Sequence, residues 1–556
     1  MDKSRTFTSI LIVLLFALAF PAAQLIESQR NPVLPPAVVQ PAPDIEFLWE
    51  IEDTRCESDI PLVTYLENNG SPLGYDAESN TFYCTLGLDT GENWPDILLT
   101  APETPGLSIC FADDYTYDWC DEAIAEGYAY ELMAYTDTEY AYFSLVFTGL
   151  PIVSLYATQP IGTDEYVPAY ASVSSAEYPP IRSLAKTHLR GSGFNSSDLK
   201  ESYRIEFHRI NQTGKDKKHS VSLLGMDPDT DWLLISNARD SSQVRNHLAW
   251  EMWSKWNPDG NAFTLLQSRM VEVFVNNEYV GLYQLMQRID TDNEIIRMGG
   301  NLDTDCAFRI LQPTNEKNRL IRSYKATADV HIELRKPPLR HTEESAFKIL
   351  EAYDALADVK QGILNDEEFN HTVLKHIDIE SMLSYFLFSQ AISMQEDNAF
   401  NNLYIWALHN GDSYQYTYGP WDMDRAFSLC FSQADKPLLE GEDRLCLDHR
   451  IPVRLLNIGE LNSRKILWDI WVEKRTTLLT DDFFYTWFHE IEDLVNLSGA
   501  YQRNSEKWYG TSKRLNINEI YSFTLKHIET VDRFLRESWP YDEYTPEGKP
   551  TVPLQQ

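Results

Sequence analysis

Apolar and polar residues alternate in short runs through the first part of the chain. From about Ile45 to Gly149, runs rich in aromatic and β-branched residues are separated by Asn-Gly, Thr-Gly and Pro-Gly pairs. Runs bounded by turn residues in this way are typical of strands. We therefore predict a small all-β, sandwich-like module over residues 45–149. It serves either as a spacer or as a surface that binds carbohydrate or a surface or coat protein.

Strands are also predicted in a second region, which begins at residue 150. The pattern predicts strands at 150–156 and 166–174, and a later strand that opens at Ser202 with its apolar residues on one face. Further along, the pair Asn276 and Asn277 joins two apolar runs, which predicts a β-hairpin. Between residues 150 and 290, the chain is therefore expected to be rich in strands.

Two cations lie beside the strand that opens at Ser202. Lys200 precedes this strand, and Arg204 lies on its polar face. Ammonium and guanidinium groups placed in this way can hold phosphate oxygens. The alternative is that both are solvated charges at a strand edge.

A helix is predicted after Asp240. Asp240 and the two serines that follow form an N-cap signal, and the apolar stripe from Val244 to Trp253 predicts a helix of about four turns. Arg245 near its start is unusual, because the N-terminus of a helix favours anions. We therefore expect a partner charge for Arg245.

The last part of the chain is predicted to be mostly helical. Apolar residues recur at helical spacing in residues 346–356 and 377–394, and again through 452–539. Together with the strands, this pattern predicts an α+β fold with a helical C-terminal half.

Composition and charge narrow the class of protein. A chain of 556 residues exceeds what one hydrophobic core usually serves, so two or more domains are expected. The formal net charge of −37 argues against unaided binding of nucleic acid, because phosphate contacts depend on clustered Lys and Arg. An acidic, soluble surface is the simplest interpretation.

The N-terminus predicts export. Lys3 and Arg5 precede an apolar run at 10–20, and Ala22 and Ala23 follow it, which matches a secretory signal over residues 1–23. An uncleaved N-terminal membrane anchor is the alternative. Residues 24–44 are rich in proline and are expected to be an extended spacer, and residues 541–556 are expected to be a tail. We predict a secreted or cell-surface protein.

Seven cysteines fit an oxidising compartment. We expect Cys430 to pair with Cys446, and two bridges among the first four cysteines, which are Cys56, Cys84, Cys110 and Cys120. No spacing typical of a structural zinc site occurs in the sequence.

A dense supply of oxygen ligands lies between residues 395 and 427. Asp397, Asn402, Asp422 and Asp424 fall within about two predicted strands and a loop. Carboxylate and amide oxygens suit Mg²⁺ or Mn²⁺, which points to a phosphorylated substrate. The alternative is that these residues cap turns or lie exposed in loops. A glycosyltransferase with a metal-binding Asp-x-Asp motif is disfavoured, because no βαβ run precedes this stretch.

Six motifs in order resemble the CotH kinase family, named for a spore-coat protein, and cover about residues 150–540. They are RG…K-x-SYRIEF, LLGM…DWLL, D-x-x-x-x-RN, VEVFVNNEYVGLYQL, D-x-x-x-x-N-x-Y and PWDMDRAF. The resemblance implies a divergent kinase-like α+β fold. It also implies an atypical protein kinase that transfers the γ-phosphoryl group of ATP to Ser or Thr hydroxyls of a protein substrate.

The resemblance also implies a role for each candidate residue. Asp397 matches the family's first Asp and would accept or orient the hydroxyl proton, whereas Asn402, Asp422 and Asp424 would hold Mg²⁺ or Mn²⁺. Lys200 matches the family's Lys and would hold phosphate, with Arg190 and Arg204 as helpers.

Gln287 is a departure from the family pattern, which often has Glu at this position. A Lys–Glu pair of the ordinary kinase type is then weakened or absent. A pseudokinase that acts as a surface, coat or adhesion protein is therefore the alternative function.

Overall fold

The protein is described by a computed structural model. The described residues are 35–88, 97–113, 120–190, 200–256, 266–288, 306–311, 323–325, 331–336, 356, 364–394, 403–410, 413–427, 429–430, 436–437, 445, 447 and 449–542. Two compact units make up the chain. The first is Met1–Ala238, Ser268–Arg288 and Ile491–Leu515, and the second is Arg239–Gln267, Ile289–Glu490 and Asn516–Gln556.

The N-terminal part of the first unit is a ten-stranded sheet with two helices. Its strands are β1 (Ala37–Gln40), β2 (Cys56–Glu57), β3 (Glu67–Asn68), β4 (Ser71–Pro72), β5 (Gly74–Asp76), β6 (Thr81–Thr85), β7 (Leu99–Ala101), β8 (Ser108–Phe111), β9 (Ala129–Tyr135) and β10 (Glu139–Thr148). The helices are α1 (Ile45–Thr54) and α2 (Cys120–Glu126). The strand order is β4-β3-β7-β1-β8-β9-β10-β6-β5, and β2 pairs with β10.

This region corrects two details of the sequence-based prediction. The module predicted as all-β contains the helices α1 and α2. Part of the expected spacer, Ala37–Gln40, is a strand that pairs antiparallel with β7 and parallel with β8. The proline-free run AVVQ can donate backbone hydrogen bonds and Ala37 is buried, so the extended spacer ends before this strand.

The rest of the first unit is built on a closed sheet. Its strands are β11 (Ile152–Ala157), β12 (Val167–Ser174), β13 (Ile181–Arg190), β14 (Ser202–Ile210), β15 (Asp216–Lys218), β16 (Asp231–Ile235), β17 (Ser268–Val275) and β18 (Glu278–Gln287). The order β13-β12-β11-β17-β18-β16-β14-β15 is closed by pairing between β13 and β14. Closure removes the exposed strand edges that an open sheet would have.

The predicted strands and hairpin of this region are confirmed. Tyr203, Ile205 and Phe207 of β14 are all buried in one core, as their alternation predicted. Asn276 and Asn277 both have positive φ, 53° and 63°, which is the conformation that a two-residue hairpin turn needs.

The second unit combines helices with a five-stranded sheet. Its helices are α3 (Arg245–Trp256), α4 (Asp366–His376), α5 (Ile379–Ala391), α6 (Arg450–Ile458), α7 (Ser463–Thr477) and α10 (Asn518–Ser538). Helix α8 (Asp481–Leu497) crosses the boundary at Ile491, and α9 (Ala500–Tyr509) belongs to the first unit. The larger sheet consists of β19 (Cys306–Leu311), β20 (Ser323–Lys325), β21 (His331–Lys336), β22 (Leu403–Asn410) and β23 (Ser413–Pro420) in the order β20-β21-β19-β22-β23. A short pair is formed by β24 (Leu429–Cys430) and β25 (Lys436–Pro437).

Helix α3 is anchored on α5 by aromatic side chains. The rings of Trp253 and Phe388 lie 4.7 Å apart in an edge-to-face arrangement, and the Trp256 indole donates to the Ser384 hydroxyl at 3.0 Å. The mixed α+β architecture is confirmed, as are the helical segments predicted at 377–394 and 452–539, whereas the segment predicted at 346–356 lies outside the described residues except for Leu356. The kinase-like fold and the domain boundaries at residues 150 and 540 stay predictions.

The predicted pair of disulfides in the first quarter of the chain is wrong. Two bridges would use all four cysteines, yet Cys56, Cys84 and Cys110 are free thiols. Cys84 on β6 and Cys110 on β8 are separated by two strands, β9 and β10, so their Cα atoms are too far apart for a disulfide. Burial raises the pKa of Cys84 to about 12 and that of Cys110 to about 11, which keeps both thiols protonated. Of the other predicted pair, Cys446 lies outside the described residues.

Within the part of the chain that the structure describes, no helix has the length and apolar character needed to cross a membrane. The apolar run at 10–20, predicted as a signal or anchor, lies outside that part.

Candidate functional site

The structure describes five of the seven candidate site residues. Asp422 and Asp424 belong to the second unit, whereas Lys200, Arg190 and Arg204 belong to the first. Asp397 and Asn402 lie outside the described residues.

Asp422 and Asp424 lie in the segment that follows β23, residues 421–427, which we call the acidic loop. Asp422 is exposed and Asp424 is half-buried, while Met423 between them is fully buried. Asp422 has φ of 55°, a left-handed conformation that is uncommon for residues other than glycine. The buried Met423 therefore anchors a loop in which the residue before it, Asp422, is exposed.

Backbone hydrogen bonds fix both ends of the acidic loop. The amide of Met423 donates to the side-chain oxygen of Asn246 at 2.9 Å. At the other end, the amide of Phe427 donates to the carbonyl of Ile392 at 2.7 Å, and the Arg245 Nε donates to the Phe427 carbonyl at 3.3 Å. The loop is thus tied to the first turn of α3 and to the end of α5.

The expected partner of Arg245 is Asp240. Arg245 Nη1 lies 2.5 Å from the Asp240 carboxylate, which also accepts from the backbone amides of Ser242 and Arg245 at 2.9 Å each. The predicted partner charge is confirmed. The helix itself begins at Arg245, because Asp240 and the residues after it form a separate capped turn.

The donor set of the acidic loop fits a hard divalent cation. Mg²⁺ is usually held by one or two carboxylates, with waters and substrate phosphates completing its octahedron, and the loop supplies the carboxylates of Asp422 and Asp424. Among the described residues, no group of three or more His, Cys, Asp or Glu side chains is arranged to hold a metal ion. The loop therefore suits a cation whose coordination is completed by other oxygens.

Lys200 is held inside the first unit. Only 3% of its surface is exposed. Its Nζ donates to the Leu282 carbonyl at 2.5 Å and to the Asn504 side-chain oxygen at 2.8 Å, and it lies 4.7 Å from the centre of the Tyr283 ring. A phosphate-binding role for Lys200 stays a prediction.

Asn504 of helix α9 is the partner that the sequence-based prediction missed. Its side-chain oxygen accepts from both Lys200 and the Leu282 amide, the latter at 3.1 Å. Gly281 has φ of 110°, and a Cβ there would lie 2.5 Å from the same oxygen, so glycine is required where α9 packs on β18. Asn504 follows Lys200 by 304 residues, and no local pattern links them.

Gln287 has a different position from the one that a Lys–Glu pair would need. Its side-chain amide donates to the Asp227 carbonyl at 2.9 Å, and its surface is 1% exposed. Lys200 meets β18 at Leu282, which is five residues from Gln287 along the strand, about 17 Å at the usual rise per residue. Lys200 is bonded instead to the Leu282 carbonyl and to Asn504 of α9.

The two arginines of the candidate site lie on β13 and β14. Arg204 pairs with the buried carboxylate of Asp231, to which its Nε donates at 2.7 Å, and its guanidinium lies 5.3 Å from the Tyr166 ring centre. Arg190 is half-buried at the end of β13, opposite Ser202. Arg204 is therefore held on the outer face of the barrel by an ion pair.

A chain of alternating charges continues along the same face. His208 lies between two carboxylates, with Nε2 at 2.6 Å from Glu206 and Nδ1 at 2.7 Å from Asp216. Lys218 lies 2.6 Å from Glu206, and Lys186 lies 2.8 Å from Asp216. Although burial by itself raises it, hydrogen bonds from His208 and Lys218 lower the pKa of Glu206 to about 2.

This cluster predicts a loss of stability in acid. The folded-state pKa of Glu206 is about 2, below its ordinary value of 4.5, so its contribution is present above about pH 4.5 and is lost as the pH falls towards 2. The free energy of unfolding, measured by urea titration from pH 6 to pH 2.5, is expected to fall less steeply in Glu206→Gln than in the wild type. Parallel curves for the two proteins would contradict the assignment.

These features define a mixed α+β protein with a β-rich first unit and an exposed acidic loop in its helical unit. The sequence profile of the family described as CotH kinase protein matches residues 187–536, more than half of the chain. The chain therefore belongs to the CotH kinase protein family, and the resemblance drawn from the motifs is confirmed. No curated protein sequence matches the chain. The module at 45–149 precedes the matched range.

Proposed function

We propose that this protein is a secreted or cell-surface atypical protein kinase. It transfers the γ-phosphoryl group of ATP to Ser or Thr hydroxyls of a protein substrate and requires Mg²⁺ or Mn²⁺. Family membership supports kinase chemistry in general. The observation that carries the proposal is the acidic loop, in which Asp422 is exposed in a left-handed conformation while the residue after it is buried and bonded.

The proposal gives each residue a limited task. Asp422 and Asp424 ligate the metal ion through their carboxylates, together with Asn402, and Asp397 orients the substrate hydroxyl and accepts its proton. The metal ion, when bound, neutralises charge on the phosphates, which is the main requirement of phosphoryl transfer. Lys200 is proposed to contact phosphate, with Arg190 and Arg204 as helpers.

The left-handed conformation at Asp422 supports the proposed role of the acidic loop. Such a conformation costs about 1–3 kcal/mol for a residue other than glycine and persists only where surrounding contacts impose it. Here the buried Met423 side chain and the Asn246 bond impose it.

The direct test is phosphotransfer by the purified full-length chain. Incubation with labelled ATP and Mn²⁺, with casein as acceptor, is expected to label casein or the protein itself. In Asp422→Ala the rate is expected to fall by about 100-fold or more, as for other groups that stabilise charge in the transition state. Incorporation no greater in the wild type than in Asp422→Ala would refute the kinase proposal.

A non-catalytic surface, coat or adhesion protein is the second candidate. The burial of Lys200 and its bonds to Leu282 and Asn504 favour it, because a phosphate-binding lysine needs access to its ligand. Binding to cells or extracellular matrix that is unchanged in Asp397→Ala, together with absent phosphotransfer, would support this candidate. The module at 45–149 is then the proposed contact with a surface or coat protein.

A further inference from the structure

We propose that Asn246 and Arg245, supported by Asp240, are positioning residues that set the metal affinity of the acidic loop. This inference rests on the proposed metal-binding role of Asp422 and Asp424. These residues do not themselves ligate the metal. They act through the backbone of the loop that carries the ligands.

Asn246 fixes the peptide between the two ligands. The amide of Met423 belongs to the peptide bond that joins Asp422 to Met423, and Asp424 is the next residue in the chain. Its donation to the Asn246 oxygen at 2.9 Å therefore sets the orientation of the backbone between both carboxylates. Asn246 is 3% exposed, so water cannot readily replace it as the acceptor.

Arg245 fixes the far end of the same loop. Its Nε donates to the carbonyl of Phe427, a residue that also has a left-handed conformation with φ of 55°. Its Nη1 is held by Asp240 at 2.5 Å and by the Ser242 hydroxyl at 3.0 Å. Both Arg245 and Asp240 are buried, at 4% and 0% exposed.

Asp240 connects the loop to the start of helix α3. One of its carboxylate oxygens accepts from the Arg245 backbone amide at 2.9 Å, and the other holds the Arg245 guanidinium. Asp240 therefore fixes both the first turn of α3 and the Arg245 side chain, which donates to the Phe427 carbonyl. Trp253 and Trp256 anchor α3 on α5. Because the acidic loop is bonded to the first turn of α3, it is also held in a fixed position within the second unit.

Two backbone positions in left-handed conformations make this support necessary. Asp422 and Phe427 bracket the loop, and each conformation is unfavourable for a residue with a side chain. Without the bonds from Asn246 and Arg245, the loop is expected to relax to ordinary backbone conformations. The carboxylates of Asp422 and Asp424 would then point in different directions, and the metal would lose its ligand geometry.

The test compares Asn246→Ala with Asn246→Asp, which keeps an acceptor oxygen for the Met423 amide. The full-length protein is titrated with Mn²⁺ alone, and free Mn²⁺ is measured by electron paramagnetic resonance. Asn246→Ala is expected to weaken Mn²⁺ binding by about 10- to 100-fold, the usual effect of removing a residue that orients metal ligands. Asn246→Asp keeps the orienting bond and adds a carboxylate beside the loop, so it is expected to bind Mn²⁺ at least as tightly as the wild type. Lys255→Ala, an exposed change on the same helix, is the matched control and is expected to bind as the wild type does.

Hydrogen exchange of the Met423 amide without metal separates this inference from the proposed function. Asn246→Ala is expected to speed exchange at Met423, and Asn246→Asp is not. Unchanged exchange in Asn246→Ala, or equal Mn²⁺ affinity in Asn246→Ala and the wild type, would overturn the positioning role. If neither the wild type nor Asp422→Ala binds Mn²⁺, the metal proposal fails, whereas the exchange result still decides whether Asn246 holds the loop. If Asn246→Ala does not fold, Arg245→Lys gives the same comparison through the Phe427 contact.

Discussion

Replacing Glu272 by alanine is expected to lower the free energy of unfolding by about 3–5 kcal/mol, the usual cost of removing one partner of a buried ion pair. Glu272 on β17 is fully buried. Its two oxygens accept from the Arg503 Nε and Nη2 at 2.9 and 2.7 Å, and the Tyr279 hydroxyl donates to it at 2.7 Å. Alanine would leave the Arg503 Nε and the Tyr279 hydroxyl without this acceptor, and Arg503 would keep a neutral acceptor, the Ser498 carbonyl at 2.9 Å, in place of a carboxylate.

The expected loss in the free energy of unfolding is large because the charge of Arg503 stays in the interior after Glu272 is removed. Arg503 comes from helix α9, and its guanidinium is surrounded by protein. Although burial by itself lowers it, Glu272 raises the pKa of Arg503, so the arginine stays charged in the folded protein. A buried guanidinium without a countercharge is far more costly than the loss of an exposed ion pair.

Glu278→Ala supplies the matched control. Glu278 pairs with Lys507 at 2.9 Å, on the same hairpin and the same helix, but its side chain is 58% exposed. Its removal is expected to cost less than about 1 kcal/mol. Urea unfolding followed by tryptophan fluorescence measures both variants. Similar midpoints for Glu272→Ala and Glu278→Ala would show that the buried pair does not stabilise the unit.

The Glu272→Ala variant also tests whether the module at 45–149 is coupled in stability to strands β17 and β18. Tyr83 of β6 stacks on Tyr279 with ring centres 5.5 Å apart, and both belong to one hydrophobic cluster with Phe274. The Ser174 hydroxyl donates to the Pro72 carbonyl at 2.5 Å across the same junction. Loss of the Glu272 side-chain contacts is therefore expected to speed the exchange of backbone amide hydrogens in β6 as well as in β17 and β18.

Replacing Lys200 by methionine is expected to lower both stability and nucleotide binding. Methionine has similar length but no donor, so the Leu282 carbonyl loses a partner and the Asn504 oxygen keeps only the Leu282 amide. Leaving buried polar groups without partners costs about 1–3 kcal/mol. If Lys200 also contacts phosphate, the rise in the thermal unfolding midpoint that ATP and Mg²⁺ produce is expected to vanish.

The two effects of Lys200→Met distinguish its possible roles. Lys217→Met, an exposed change on β15, is the control and is expected to leave both measurements unchanged. A destabilised Lys200→Met protein that keeps the full ATP-induced shift would show a structural lysine and would remove Lys200 from the phosphate site. A variant as stable as the wild type would contradict the geometry with Leu282 and Asn504.

Much of the local structure could be predicted from the sequence, because the signals that fix it are local. Alternation in β14 identified the face that Tyr203, Ile205 and Phe207 bury. The pair Asn276 and Asn277 identified the hairpin turn, since asparagine tolerates positive φ. The ordered motifs led to the family, which the match over residues 187–536 confirms.

The sequence determined the strands, the hairpin, the helical C-terminal part, the family and the identity of the acidic loop. Only the tertiary structure decided that β13 and β14 close the barrel, that Cys56, Cys84 and Cys110 are free thiols, and that Ala37–Gln40 joins a sheet. It also decided that Asn504 holds Lys200 and that Asn246 holds the acidic loop, over 304 and 177 residues of chain. The spacing of apolar residues predicts which side of a helix or strand is buried. It carries no information about which distant polar group will meet a given donor there, because that pairing depends on how whole elements pack.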